Sequence, residues 1–575
     1  MVETRILPDD CWESVITFLT GGDSNHPYLK SLSVVSKQFL SITNNLPLSL
    51  TVYNQTRPFL PRLFIRFTNL TSLNLTCFGG DLDGLLCVIS CFRLNHLTSL
   101  NLSNQPFIPT NGLQVFARKF TTLNSLTCSN IDSLCNNDLV CISGCFPFLE
   151  ELDLSNPKEI IDITDVGVKA MSTALPKLRK VNLSGHYYIN DSLLFHLCQS
   201  CEFLEEFVML DHSSRWSPSL TNDGIASAIR VRPSLRSLSI KWPSKGRHDI
   251  SSHLIDSLMC LKGLTCLDFR SSRISDMLLS SIAMEAIPLR KLVLQNCFGY
   301  SYAGISCFLS KCQHIQHLDL QNAVFLTNQH VLDLSLFLGD LEFINLSQCG
   351  QLTNLALFAL VSNCASLSEI KMELTKIGME SVENSNSFKD FVVSPQLKSL
   401  HLAKNSCIRD ESIKMFPSMF PNLQLLDLSY CRNISEDSIC DVLRRCCKIR
   451  HLNLSNCLVV NLFGMNFEVP KLEVVNLSRT IVNDETLYVI SKSCCGLLEL
   501  LLEECFHVTE KGVKHVLENC TKLREINLRA CNKVNVNAVA SMLFLRPSLR
   551  KIIAPSGLDL SKTERIFLHR GDYAC

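Results

Sequence analysis

LQLLDLSYC, residues 423–431, and IRHLNLSNC, residues 449–457, are one pattern written twice, 26 residues apart. LEFINLSQC (341–349) and LREINLRAC (523–531) repeat it as L-x-x-L-x-L-x-x-C. Looser copies run from Leu70 to Leu549, nineteen in all and most of them 26 residues apart. A fixed period of this length marks stacked repeats rather than a string of ordinary domains. Within each copy, the L-x-L alternation is that of a strand with one buried face. Thr164-Asp165, Thr221-Asn222-Asp223, Ser435-Glu436-Asp437 and Thr509-Glu510 then set a hydroxyl and acids where a helix would start. A side-chain oxygen there accepts from a free helix amide, and the acids suit the positive end of the helix dipole. Apolar residues at helical spacing follow, as in Val513, Val516 and Leu517. Strand, turn and helix at this period predict an α/β fold. It is a right-handed solenoid of horseshoe form, with a parallel inner sheet and outer helices.

The repeat also explains residues that look like chemistry. In LRRCCKIRHLNLSNC (443–457), Cys446, Cys447, His451 and Cys457 have the composition of a zinc site. Cys446, however, lies three residues before its copy begins, a slot filled elsewhere by Cys201, Cys312, Phe120, Phe146 and Leu175. A slot shared by Cys, Phe and Leu is a buried apolar slot. Cys457 lies eight residues after its copy begins, as do Cys297, Cys349, Cys431, Cys505 and Cys531. Ligands of one ion must converge, whereas repeat positions are spread out, so no metal site is expected. Cys141 with Cys145 and Cys198 with Cys201 fall in the helical part of their copies, with the same outcome. The N-L-S/T triplets, such as Asn453, are the core of the strand motif and not glycosylation acceptors. No phosphate-binding loop, no H-E-x-x-H and no G-x-S-x-G occurs, so catalysis by this chain is not expected.

Bulk properties narrow the setting. The 575 residues are 46% apolar, and Lys plus Arg balance Asp plus Glu at 54 each. A neutral total gives no pull toward nucleic acid or anionic lipid, and no apolar run reaches the ~20 residues of a membrane span. The opening MVETRILPDDCWESV lacks a basic segment followed by an apolar one, so no secretory signal is read. The 29 cysteines are therefore expected as thiols in the cytoplasm, the nucleus or both.

Residues 1–50 precede the array and read differently. Pro8 with Asp9 and Asp10 suits a helix start, and Trp12, Val15, Ile16 and Leu19 fall on one helical face. Leu32, Val35 and Phe39 repeat the spacing on a second helix, beside Leu29 and Val34, across the turn-rich segment 20–27. So little chain cannot bury this apolar surface alone. Either it caps the array or it faces a partner. The expected organisation is a helical module at 1–50, a linker and solenoid cap at 51–69, the array at 70–555 and a tail at 556–575.

The array resembles the cysteine-containing leucine-rich repeats of F-box proteins. The N-terminal segment resembles the F-box itself in Leu7-Pro8, the apolar helix, and Val35-Ser36-Lys37 followed by Phe39. The resemblance implies a non-catalytic substrate receptor of a Skp–cullin–F-box ubiquitin ligase. Leu7, Pro8, Trp12, Val15, Ile16, Leu19, Leu32, Val35, Lys37 and Phe39 would meet the Skp-type adaptor of a cullin-RING ligase. The repeats would hold an unknown protein substrate for ubiquitination and proteasomal degradation. No cofactor is read from the residues. The layout also resembles plant hormone-sensing members, which implies a small molecule and an inositol phosphate as the alternative. A ubiquitin-independent scaffold is the third reading.

A regular solenoid places function where its pattern breaks. The slot after the last strand leucine is Ser in eight copies, but becomes Leu210, Lys241, Arg270, Gln295 and Gln321 in the middle ones. The copies starting at 204 and 235 are also long ones, and their extra segments hold Trp216 and Trp242. Tryptophan and arginine are favoured interface anchors. Trp216, Lys241, Trp242, Arg270, Arg273, Gln295 and Gln321 are therefore the expected substrate-binding residues, with a basic bias suited to an acidic or phosphorylated segment. The alternative is that both tryptophans fold down onto the solenoid.

Overall fold

The computed structural model describes residues 9–20, 29–160, 163–186, 189–210, 220–240, 250–379, 393–457, 461–535, 546, 548–549 and 551–555. The chain divides into two compact units, Met1–Pro243 and Ser244–Cys575. The division falls inside one of the two long copies.

The first unit opens with helices Asp9–Thr20, Leu29–Ser33 and Lys37–Asn45. Parallel strands follow, each hydrogen-bonded to the next, and one apolar position threads them. Leu73, Leu100, Leu126, Leu152, Val181, Phe207 and Leu238 are successive register partners. In the second unit the same position runs from Leu267 through Leu292, Leu318, Ile344, Ile370, Leu400 and Leu426 to Leu452. It continues through Val475, Leu500 and Ile526 to Ile552. The rows are buried, as the L-x-L alternation requires, because successive strand side chains point to opposite faces. Each unit is a leucine-rich-repeat solenoid. Its parallel sheet begins earlier than the sequence indicates. Leu48–Thr51 already pairs with Leu70–Asn74, so the stretch expected as linker and cap at 51–69 carries an irregular repeat with the helix Leu60–Arg66.

Three local devices repeat along the chain. Thr164, Ser435, Thr221 and Thr509 all stand at helix N-caps as expected, and the last two accept from Gly224 N–H and Lys511 N–H. The cap is tied across repeats as well: Asp191 accepts from Thr221 N–H at 2.8 Å and Asp484 from Thr509 N–H at 2.8 Å. The helices approach so closely there that a Cβ on Gly224 would overlap the Asp191 carboxylate.

Second, the residue seven positions into a copy takes the left-handed conformation. Asn104, Asn130, Asn322, Gln348, Lys404 and Asn456 do so, with φ between 54° and 67°. Asparagine tolerates that region best among residues other than glycine. Its backbone N–H carries the ladder past the strand, as Asn104 N–H donates to Ser129 C=O at 2.9 Å.

Third, the cysteine eight positions in is a donor. Cys297, Cys457, Cys505 and Cys531 direct Sγ at the strand-end carbonyls of Phe269, Leu428, Leu477 and Leu502 at 3.0–3.2 Å. Other copies fill the slot with Gln105, His186 and Asn405, whose side-chain nitrogens reach the Leu75, Leu154 and Met372 carbonyls. Burial pushes the Cys297, Cys457 and Cys531 thiols up to about 12, which keeps the proton on sulfur. The slot three before the copy is the buried one expected, with Cys201, Cys364, Cys446 and Cys494 fully enclosed.

The copies that carry Glu369–Lys371, His451–Asn453 and Glu525–Asn527 show no helix among the described residues. Between His451–Asn453 and Val474–Asn476, Leu462, Met465 and Val469 turn inward from a loop in its place.

Candidate functional site

Two surfaces present groups that the fold does not consume. The first is the N-terminal helical module. Ser36 caps the helix Lys37–Asn45 by accepting from Phe39 N–H at 3.1 Å, which fixes where that helix begins. Trp12 packs on Phe39 with ring centroids 5.0 Å apart and planes at 55°, joining the first and third helices. Ile16 and Ile42 are buried. The helical face expected from residues 12, 15, 16 and 19 therefore divides. Ile16 is core, Trp12 is half-buried against its neighbour, and Val15 stands 42% exposed. Val34 and Val35 are 79% and 64% exposed, which leaves branched apolar side chains in water. Lys37 is exposed, and Leu32 is half-buried. Leu19 lies in the first helix, and its side chain is not among those described; Leu7 and Pro8 lie outside the described residues.

The second surface is the sheet face opposite the buried ladder in the second unit. Strands Cys266–Asp268, Lys291–Val293, His317–Asp319, Phe343–Asn345, Glu369–Lys371 and Ser399–His401 present their outer residues side by side. His317 and Phe343 stack at 4.0 Å with planes 7° apart, and Lys371 lies over the Phe343 ring at 5.6 Å. Burial, and next the Lys291 ammonium, lower the His317 imidazole to about 4, so it stays neutral at physiological pH. Glu369 meets His401 at 3.5 Å and Lys371 at 3.4 Å, and its carboxyl is lowered, chiefly by His401.

Beside this stack lies a cavity of about 340 Å³, lined by Gln295, Asp319, Gln321, Phe343, Asn345, Ser347, Gln348, Lys371, Glu373, Leu374 and Lys404. Gln295 donates from Nε2 to Gln321 Oε1 at 2.9 Å. Asn345 donates from Nδ2 to Asp319 at 3.2 Å and to Gln321 Oε1 at 3.3 Å. Burial raises the Asp319 carboxyl.

The expected substrate residues separate accordingly. Gln295 and Gln321 come together in the cavity. Arg270 is turned on its own strand, its guanidinium closing on the buried Asp268 carboxylate at 2.5–3.1 Å. Arg273 is half-buried, with its backbone bridged to Phe298. Trp216, Lys241 and Trp242 lie outside the described residues. Sequence reasoning missed Phe343, Lys371, Gln348, Glu373 and Lys404. A signal for Glu373 was present, since it fills the slot that is Ser in eight other copies. Lys404 and Gln348 sit in the left-handed slot, which alternation does not reveal. Among the described residues no cluster of His, Cys, Asp and Glu could hold a metal ion. No helix among them is long and apolar enough to cross a membrane.

No family model matches the chain. It is 22% identical over 410 residues to BTB/POZ domain-containing protein FBL11 of Arabidopsis thaliana, covering 67% of this chain. It is 24% identical over 370 residues to a Transport inhibitor response 1-like protein of Oryza sativa subsp. japonica, covering 59%. It is 25% identical over 269 residues to F-box/LRR-repeat protein 4 of Bos taurus, covering 42%. The chain spans 40%, 62% and 39% of these relatives' own lengths. Among solved structures, one chain of the Rad7 and Elc1 complex from yeast overlaps 75% of this chain and 93% of its own length. It does so at 19% identity and a TM-score of 0.45. The complex of TLR13 with ssRNA13 overlaps 89% of this chain and 77% of its own, at 16% identity and a TM-score of 0.40.

Proposed function

We propose, from the kinship of this chain with plant and animal F-box/leucine-rich-repeat proteins, that it is a substrate receptor of a Skp–cullin–F-box ubiquitin ligase. The N-terminal helices dock on a Skp-type adaptor, and the sheet face holds the protein to be ubiquitinated in the cytoplasm or nucleus. The receptor performs no bond-making itself. It raises the concentration of target lysines near the enzyme that carries activated ubiquitin, a gain of effective molarity rather than of chemistry.

The observation that carries the reading is the exposure of Val15, Val34 and Val35 on a helical module that ends where the sheet begins, at Leu48. Exposed apolar side chains of this kind mark a surface that another protein covers. Titration of the purified protein with a Skp-type adaptor tests it. Val35→Asp places a charge in that surface without touching the buried Ile16 and Ile42, so it should weaken the adaptor about thirtyfold, the roughly 2 kcal/mol of a central anchor. The melting temperature should be unchanged. A wild-type protein that ignores the adaptor would end the proposal.

The cavity beside Gln321 and Phe343 favours a second reading, a receptor that needs a bound small molecule, with an inositol phosphate as the expected cofactor class. Native mass spectrometry of the purified chain would then show a retained ligand. A mass matching the bare chain counts against it.

A further inference from the structure

The hydrogen bonds inside the cavity are unevenly spent. Its acceptors are largely used: Asp319 takes Gln321 N–H at 2.9 Å and Asn345 Nδ2 at 3.2 Å, and Asn345 Oδ1 takes Ser347 N–H at 3.0 Å. Ser347 Oγ takes Glu373 N–H at 3.1 Å, and Gln321 Oε1 takes both Gln295 and Asn345. The donors are not used up. Gln321 Nε2 and the Gln348 side-chain amide have no partner among the described residues. Lys404 lies over the Tyr430 ring at 5.6 Å and joins no ion pair among the described residues, while Lys371 is shared with Glu369 at 3.4 Å. Four donors, two of them cationic and one of these shared with Glu369, line one small polar cavity, against two carboxylates, the hydrogen-bonded one of Asp319 and the open one of Glu373.

We propose that this cavity receives a carboxylate, an aspartate or glutamate side chain on an extended segment of the bound protein. The inference rests on the receptor reading above and names what the receptor selects. The Lys371 and Lys404 ammonium groups supply charge-assisted hydrogen bonds, and the Gln321 and Gln348 amides fix the orientation of the carboxylate. Glu373 opposes any incoming acid and so limits how tightly one is held.

The test is binding of the purified full chain to an array of peptides with Glu, Asp, phosphoserine, Gln or Lys fixed at the centre of a randomised sequence. Glu and Asp should be retained over Gln and Lys. Lys371→Met and Lys404→Met should each lower that retention about tenfold, the worth of one charged hydrogen bond. Glu373→Gln should raise it. Equal retention on Glu and Gln overturns the inference. So does a preference for phosphoserine over Glu, or an acid preference that survives the Lys371→Met/Lys404→Met pair. Adaptor titration of the same preparations is independent of these outcomes. An adaptor that binds with no acid preference sinks only the cavity assignment, whereas an acid preference without adaptor binding sinks only the ligase reading.

Discussion

At the scale of single residues, the eighth slot of each copy is the instructive one. The sequence offers a column of cysteines at the strand ends, residues that can also pack as small hydrophobes. The structure shows donors, because Gln105, His186 and Asn405 occupy the same slot and reach the same class of strand-end carbonyl. The two descriptions rank substitutions oppositely. Cys457→Val keeps volume and apolarity but removes the proton aimed at Leu428 C=O. Cys457→Ser keeps the proton. Urea unfolding should place the Val variant about 1 kcal/mol below the Ser variant, the net worth of one buried hydrogen bond. His186 gives the slot a pH dependence. Burial lowers its imidazole from 6.5 to about 4, so the fold holds it neutral. Its contribution is complete above pH 6.5, where the unfolded chain is also neutral. It is lost as pH falls from 6.5 toward 4, by about 3 kcal/mol in total. His186→Gln, with Gln105 as its precedent, should flatten the difference in stability between pH 7 and pH 4.5 relative to wild type.

At the scale of elements, the strands and caps were legible and the turns were not. L-x-L alternation reports which side chains point inward, so Leu318 and Ile344 could be assigned to the core from letters alone. A hydroxyl followed by acids reports a helix start, and Thr221 and Thr509 are caps in fact. The left-handed residue after each strand carries no apolar signal, because it contributes a backbone angle rather than a buried side chain. That is why Lys404 and Gln348 went unnoticed as cavity residues. Asn456, at φ 61°, tests the angle directly. Asn456→Gly should be tolerated, whereas Asn456→Ile sets a branched side chain in that region and should cost about 1–2 kcal/mol by urea unfolding. The N-terminal face divided for a related reason. Spacing of 3.6 residues identifies an apolar stripe, but not which of its members meets a sibling helix. Only contact with Phe39 separates Trp12 from the exposed Val15.

At the scale of the whole chain, the period decided the fold class, since every copy from Leu70 onward holds a strand, in register with its neighbours within each unit. The recognition surface was less legible. Pattern breaks pointed to residues 204–275, and part of that stretch, with both tryptophans, lies outside the described residues. What the structure assembles from the expected set is Gln295 with Gln321, joined by partners from copies whose strands obey the pattern. The candidate cavity draws on both kinds of position, the breaks Gln295, Gln321 and Glu373 and the ordinary outward positions Phe343 and Lys371 of regular neighbours. The copy that begins at Ile449 bears on stability at this scale. In a stack where each repeat touches only the next, cooperativity is the sum of neighbour couplings. Where Leu462, Met465 and Val469 stand in for a helix, that coupling runs through the sheet and a loop tied to its neighbours by single hydrogen bonds, such as Val469 N–H to Ser493 C=O. The second unit therefore has a built-in fracture line. Strands from Val474 onward can open as a block while those before His451 stay folded, so that amide exchange would fall into two classes on either side of it.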